Sequence, residues 1–385
     1  MNTRYIQIFL LTSFLCIINA SGQQPQKENP SKEDLWKELS PYFNPPTEFQ
    51  NNYGAYRSPL KFYDGREVKN KNDWKKRRKE ILKTWNDMMG EWPPLIKKQK
   101  PDIWFDARID NYDRYRIKFD WLPGQETEGY LLIPEGKGRR PAVITVYYEP
   151  ETSAGIGDMK YRDFAHQLAK RGFVTLSIGT TQTTNSKTYA LYYPDIKNSS
   201  VQPLSVLASA AANSWYMMSQ LPEVDKSRIG IMGHSYGGKW AMFASCLFEK
   251  FACAAWSDPG IVFDDERPNV NYWEPWYLGY YPPPWNNTWR RTGKAEGAKG
   301  LYPFLREKGY DLHELHALMA PRPFLVSGGS EDGPARWIPL NHAIAVNSLL
   351  GHENRVGMTN RPEHSPDAGS NEILYSFFEF FLGIN

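Results

Sequence analysis

From about Tyr115 to the C-terminus, short and almost wholly apolar runs alternate with stretches whose apolar residues recur every three or four positions. Residues 141–148 (P-A-V-I-T-V-Y-Y), 173–178, 228–232, 251–256 and 324–327 predict buried strands. Residues 115–119 and 129–133 predict two more, and a short one is expected near 355–358. Between them, 164–170, 205–220, 239–248, 336–350 and 371–382 have the period of helices. Strands that are apolar throughout, alternating with helices, imply a mostly parallel central sheet with helices on both faces.

Two segments break this rhythm. Residues 23–34 are polar and loose, after which 34–39 and 73–89 predict the helices of an N-terminal extension over 23–110, ahead of a catalytic domain over 111–385. In the second helix Trp74, Arg78, Ile81, Leu82, Trp85 and Met88/Met89 form the inward stripe, and Asp73 is the expected cap. Gly90 and Pro93-Pro94 end it, and the basic cluster at 75–79 reads as its solvated face. The second break, 259–310, carries W-E-P-W-Y-L-G-Y-Y-P-P-P-W-N-N-T-W-R-R. It is too rich in proline for a long helix and too aromatic for a linker, so it is expected to cover the site as an insertion.

Residues 1–22 read as an export signal. Arg4 precedes an apolar stretch over 6–18, and Ala20 and Gly22 stand at −3 and −1 of a cut before Gln23. The stretch is shorter than the roughly 20 residues of a membrane span. Leu15 stands before Cys16 where lipidation would want a small residue. The expected location is therefore secreted or periplasmic. Cys246 and Cys253 both lie in apolar segments and read as buried thiols, not as a disulfide or a metal site. A net charge of +3 over 385 residues gives no global basic field for nucleic acid. The 14 Trp and 23 Tyr suit a protein that packs aromatic rings against sugar faces, or one with a tryptophan-rich core.

The chemistry centres on G-H-S-Y-G at 233–237, which follows an apolar strand and opens a helix. In that setting G-x-S-x-G is a nucleophile elbow, a turn tight enough to hold the serine at strained φ/ψ. Ser235 needs a base, and the base an acid, both on loops after strands and in the chain order Ser, acid, His. His364, in R-P-E-H-S-P-D before the last helix, is the expected base. His166 precedes the serine and His234 adjoins it. His313 and His316 form H-E-L-H, one residue too close for the H-E-x-x-H zinc spacing, and His342 is mid-helix. Asp332, in S-G-G-S-E-D-G after the 324–327 strand, is the expected acid; its neighbour Glu331 and Asp258 in W-S-D-P-G are the alternatives. The backbone N–H of Tyr236 is the expected first oxyanion donor, with Tyr148 or Glu149 supplying the second. Trp273, Trp276, Tyr277, Trp285 and Trp289 are candidates to stack on sugars, and Arg290 with Arg291 to pair with a uronate. No metal and no cofactor is implied.

With these residues in view the chain resembles the α/β-hydrolase superfamily, and within it bacterial secreted carbohydrate esterases of the acetyl xylan esterase-like and glucuronoyl esterase-like groups. The resemblance runs from about 73 to 385. It rests on G-Y-L-L-I-P (129–134), P-A-V-I-T-V (141–146), G-H-S-Y-G-G-K (233–239), A-P-R-P-F-L-V-S-G-G-S-E-D (320–332) and E-H-S (363–365). It implies an α/β-hydrolase fold, a serine esterase acting on a carbohydrate ester, and a triad of Ser235, Asp332 and His364. Two positions depart from it. Glucuronoyl esterases place Arg after the serine, where this chain has Tyr236, and a His-Gly or His-Pro where it has Tyr148-Glu149-Pro150. A prolyl oligopeptidase-like peptidase shares the catalytic domain. Fewer than about 120 residues precede the sheet here, too few for a propeller of blades of about 40–45 residues. An inactive glycan-binding homologue is the third reading.

Overall fold

The computed structural model describes residues 30–180, 190–285 and 295–383; the expected export signal, Trp289, Arg290 and Arg291 lie outside them. Nine strands among the described residues form one sheet in the order β1-β2-β3-β5-β4-β6-β7-β8-β9. β1 (Asp102–Ile109), β2 (Tyr112–Leu122) and β3 (Gln125–Pro134) are an antiparallel meander. β3 joins β5 (Val174–Gly179) antiparallel. From β5 the sheet is parallel through β4 (Arg140–Tyr147), β6 (Val224–His234), β7 (Ala254–Ser257), β8 (Phe324–Gly328) and β9 (Val356–Asn360). This is an α/β-hydrolase fold. β4, β5, β7 and β8 are buried along nearly their whole length, as their unbroken apolar runs require.

Ten α-helices lie among the described residues, numbered along the chain. α1 is Lys32–Leu39, α2 Lys71–Met89, α3 Pro150–Ser153, α4 Phe164–Lys170 and α5 Pro203–Met218; α6 is Tyr236–Leu247, α7 Tyr302–Glu307, α8 His313–Ala317, α9 Trp337–Leu350 and α10 Ala368–Leu382. α2 begins two residues earlier than its apolar stripe suggests. Its cap is Asn70, whose side chain accepts from the N–H groups of Asn72 and Asp73; Asp73 instead sits inside the first turn and accepts from the Lys69 N–H. The inward stripe is Trp74, Arg77, Ile81, Trp85 and Met89. Arg77 rather than Arg78 faces in because it has a buried partner, the Glu314 carboxylate of α8 at 3.7 Å, and its guanidinium also lies over the Tyr63 ring.

The N-terminal extension is built into the domain. α1 packs on α10 through Trp36 and Phe380, whose rings are 5.2 Å apart, and Ser376 donates to Glu38 at 2.8 Å. The expected boundary at 110/111 falls in the turn between β1 and β2, so the extension contributes a strand as well as helices. β1 is mostly exposed, and a bulge between Phe105 and Ala107 breaks the alternation of its apolar positions. The segment 259–280 is largely buried irregular chain, packed through Phe263, Tyr272 and Tyr277.

Candidate active site

Ser235 follows β6 directly and has φ +57°, ψ −115°, a strained conformation for a residue with a Cβ. Its N–H donates to the Ser257 carbonyl at 2.8 Å, and its carbonyl accepts from Lys239 to start α6. The two flanking glycines are dictated by space. A Cβ on Gly233 would lie 2.2 Å from the Gly237 carbonyl oxygen, and one on Gly237 would lie 2.0 Å from that of Val146. Only bare backbone passes there.

The structure brings His364 to the serine: its Nε2 is 2.8 Å from Ser235 Oγ. It does not bring Asp332 to His364, which corrects the expected acid. His364 Nδ1 is 2.7 Å from Asp258 Oδ2, the carboxylate that follows β7 rather than the one after β8. Asp258 is fixed from behind by backbone: Oδ1 accepts from Gly329 at 2.7 Å and from Asp332 at 2.9 Å, and Oδ2 accepts from Glu331 at 3.3 Å. The β8–α9 loop thus donates its N–H groups to Asp258 instead of presenting its own carboxylate. Asp332 turns away and accepts from Gly260 at 2.8 Å and Ile261 at 2.6 Å, holding the chain just past Asp258. Burial, and then the charge of Asp258, push the Asp332 carboxyl above the ordinary aspartate range. Glu331 accepts from Asn269 and lies apart from His364.

Sequence reasoning missed what holds His364. Arg361, on the same loop, is buried. It donates to the carbonyls of His364 (2.7 Å), Ser365 (2.9 Å) and Ser327 (2.8 Å), and to Ser257 Oγ (3.3 Å). Its guanidinium ties the loop to the ends of β7 and β8. An arginine ahead of a proline in a polar loop carries no sequence signal for this, since the carbonyls it reaches belong to distant strands. Arg162 adds a second tie, donating to Ser365 Oγ and to the Tyr147 hydroxyl. His234, buried beside the triad with its ring 4.8 Å from that of His364, shares a hydrogen bond with Ser257 Oγ. Burial, followed by the charges of His364, Arg361 and Arg162, holds it well below the usual histidine range, so it stays neutral and does not compete as base.

The expected oxyanion residues are neighbours: the rings of Tyr148 and Tyr236 stack at 4.8 Å and 20°. Tyr236 is buried, and its hydroxyl lies 3.2 Å from Thr180 Oγ1, so the side chain after the serine packs inward. Of the expected sugar-stacking residues, Trp276 and Tyr277 are buried in the core, and so is Trp273, which is corrected as they are. Trp273 is 1% exposed and packs edge-on to Tyr302, a core position with no free face. Trp285 is half-buried and packs between Trp276 and Tyr192. The 313–316 histidines serve the fold: His313 Nε2 lies on the Arg57 carbonyl and His316 packs against Trp256. Cys246 and Cys253 are buried free thiols, pushed upward in pKa by burial. Among the described residues no group of three or more His, Cys, Asp or Glu is placed to hold a metal ion, and no helix is long and apolar enough to cross a membrane.

The same architecture recurs in solved structures. A glucuronoyl esterase from Solibacter usitatus superposes with a TM-score of 0.66 at 16% identity, over 86% of this chain and 99% of that one. A carbohydrate esterase family 15 glucuronoyl esterase from Caldicellulosiruptor kristjansonii gives 0.59 at 21% identity, over 89% and 94%. A putative acetyl xylan esterase from Bacteroides fragilis gives 0.54 at 16% identity, over 81% and 83%. No family model matches the sequence, and no curated protein matches it. At these identities the likeness is one of fold.

Proposed function

We propose that the chain is an exported serine carboxylester hydrolase that removes an acetyl, or a uronoyl or methyl ester, group from a polysaccharide or oligosaccharide. The observation that carries this reading is the unbroken relay from Ser235 Oγ through His364 to Asp258, mounted on a strained elbow.

In this mechanism His364 Nε2 takes the Ser235 proton as Oγ attacks the ester carbonyl carbon. Asp258 holds the Nδ1 proton and stabilises the imidazolium. The tetrahedral oxygen is held by the backbone N–H of Tyr236 and by that of Tyr148 or Glu149. The alcohol leaves with the proton from His364. Water, deprotonated by the same imidazole, then frees the acyl group from Ser235. Support for a carbohydrate substrate comes from the fold shared with carbohydrate esterases and from the half-buried Trp285 of the 259–310 segment. With Tyr236 packed inward, no guanidinium follows the nucleophile. The arginine that glucuronoyl esterases place there is missing, so the uronoyl ester has less support than the acetyl.

The test is a side-by-side measurement of initial rates on 4-nitrophenyl acetate and on a methyl glucuronate ester, with Ser235→Ala as blank. Faster turnover of the acetate supports a deacetylase, and preference for the glucuronate supports uronate recognition. No hydrolysis above the blank on either ester, nor on an acetylated xylan, would contradict the reading.

A further inference from the structure

The basic cluster read from the sequence as a solvated face is divided by the structure. Arg77 turns inward, while Lys71, Lys75, Arg78 and Lys79 lie along one side of α2, at helical spacing. That side forms a wall of an open groove of about 860 Å³, completed by Lys250 and Arg322 from the chain ahead of β7 and β8. Glu249, the one acidic residue lining it, pairs with Arg78 at 3.3 Å. Lys71, Lys75, Lys79, Lys250 and Arg322 have no carboxylate partner among the described residues. Arg322 donates only to the carbonyls of Phe248, Phe251 and Leu318. Burial, and then Arg78, lower its pKa to about 10, so Arg322 closes the floor of the groove while the lysines supply its free charge.

Like charges four residues apart on a helix repel, so this stripe is held at a cost to α2. Lys71 to Lys79 spans about 12 Å at the helical rise, so a matching ligand presents repeated negative charges over that length. The groove is far from the relay: its residues precede β7, β8 and β9, whereas Ser235, Asp258 and His364 follow β6, β7 and β9.

We propose that this groove is a second glycan site that holds a polyanionic polysaccharide, a chain of uronate carboxylates, at the end of the sheet opposite the nucleophile. The class of polymer rests on the carbohydrate reading above; the demand for an extended anion rests on the groove alone. A nucleic-acid footprint is expected to give a domain a strongly basic balance, and this chain carries only +3. A tethered acidic chain would raise the local concentration of ester groups without entering the catalytic centre.

The experiment is native affinity electrophoresis of the full chain in gels holding sodium polygalacturonate, neutral dextran or duplex DNA. Wild type should be retarded by polygalacturonate and not by dextran. Lys75→Glu with Lys79→Glu should weaken that retardation at least about tenfold and flatten its salt dependence. Lys250→Glu, on a separate element, should act the same way and guards against a local defect in α2. Hydrolysis of a small soluble ester by these variants should match wild type, so that loss of binding and loss of catalysis are read separately. Equal retardation of wild type and variants, equal retardation by dextran, or binding of DNA without polygalacturonate would each overturn the proposal.

Discussion

Asp258 Oδ2 lies 2.7 Å from His364 Nδ1, although the two residues are 106 positions apart and the loop after β8 holds a carboxylate of its own. Both aspartates are buried, and they divide the work. Asp258 faces the imidazole, and Asp332 holds the backbone at Gly260 and Ile261. Asp258→Asn should therefore cost about 10³–10⁴-fold in kcat, as loss of the carboxylate behind a catalytic histidine does. Asp332→Asn should cost far less in rate and show mainly as lower stability. Initial rates and urea midpoints of the two variants check this, and the opposite ranking would return the acid to Asp332.

Much of this site was legible in the sequence, and the error in the acid shows where legibility stops. G-H-S-Y-G names its own geometry, because a Cβ on Gly233 or Gly237 would lie 2.2 or 2.0 Å from a backbone carbonyl oxygen, which leaves few alternatives. The apolar runs of β4, β7 and β8 gave their strands for the same reason: burial on both faces leaves no polar position to blur the signal. Asp258 and Asp332 each follow a buried strand, and local pattern cannot say which loop bends toward His364. That choice depends on where the N–H groups of Gly329, Glu331 and Asp332 converge. Trp273 failed differently. Its neighbours in sequence are aromatic and proline-rich, but its partner Tyr302 comes from a helix 29 residues on.

The elbow's strain yields opposite stability changes at neighbouring positions. Gly237→Ala drives a Cβ to 2.0 Å from the Val146 carbonyl and should lower stability by at least about 2–3 kcal/mol. Ser235→Gly relieves a positive-φ side chain and should leave stability unchanged or raise it by up to about 1 kcal/mol, while abolishing hydrolysis. Chemical denaturation of both proteins measures the pair.

Arg361 acts through His364, so its loss should fall on turnover. Arg361→Ala frees the loop carbonyls of His364 and Ser365 and should lower kcat about 10²-fold with KM little changed, the cost of an imidazole misplaced by about an ångström. Arg361→Lys should recover part of the rate, because an ammonium can still reach some of those carbonyls. A matching rise in KM would instead assign Arg361 to substrate binding.

Asp311 makes stability depend on pH. Its buried carboxyl accepts from Phe263 and Leu312, and burial raises its pKa to about 7. A carboxyl raised in the folded state binds its proton more tightly there than in the unfolded chain. Its contribution is complete below about pH 4 and is lost as pH rises toward 7. Asp311→Asn should remove that slope, so wild type should lose stability relative to the variant between pH 4 and 7. Denaturation midpoints for both proteins across that window provide the measurement.

The most direct test of the account is covalent capture of the nucleophile. A fluorophosphonate ester offered to wild type, His364→Ala and Asp258→Asn, followed by peptide mass analysis, asks which atom attacks and what activates it. The account predicts one phosphonyl group on Ser235 in wild type, with labelling slowed strongly in both variants. Labelling elsewhere, or labelling of Ser235 at the same rate when His364 is gone, would contradict it.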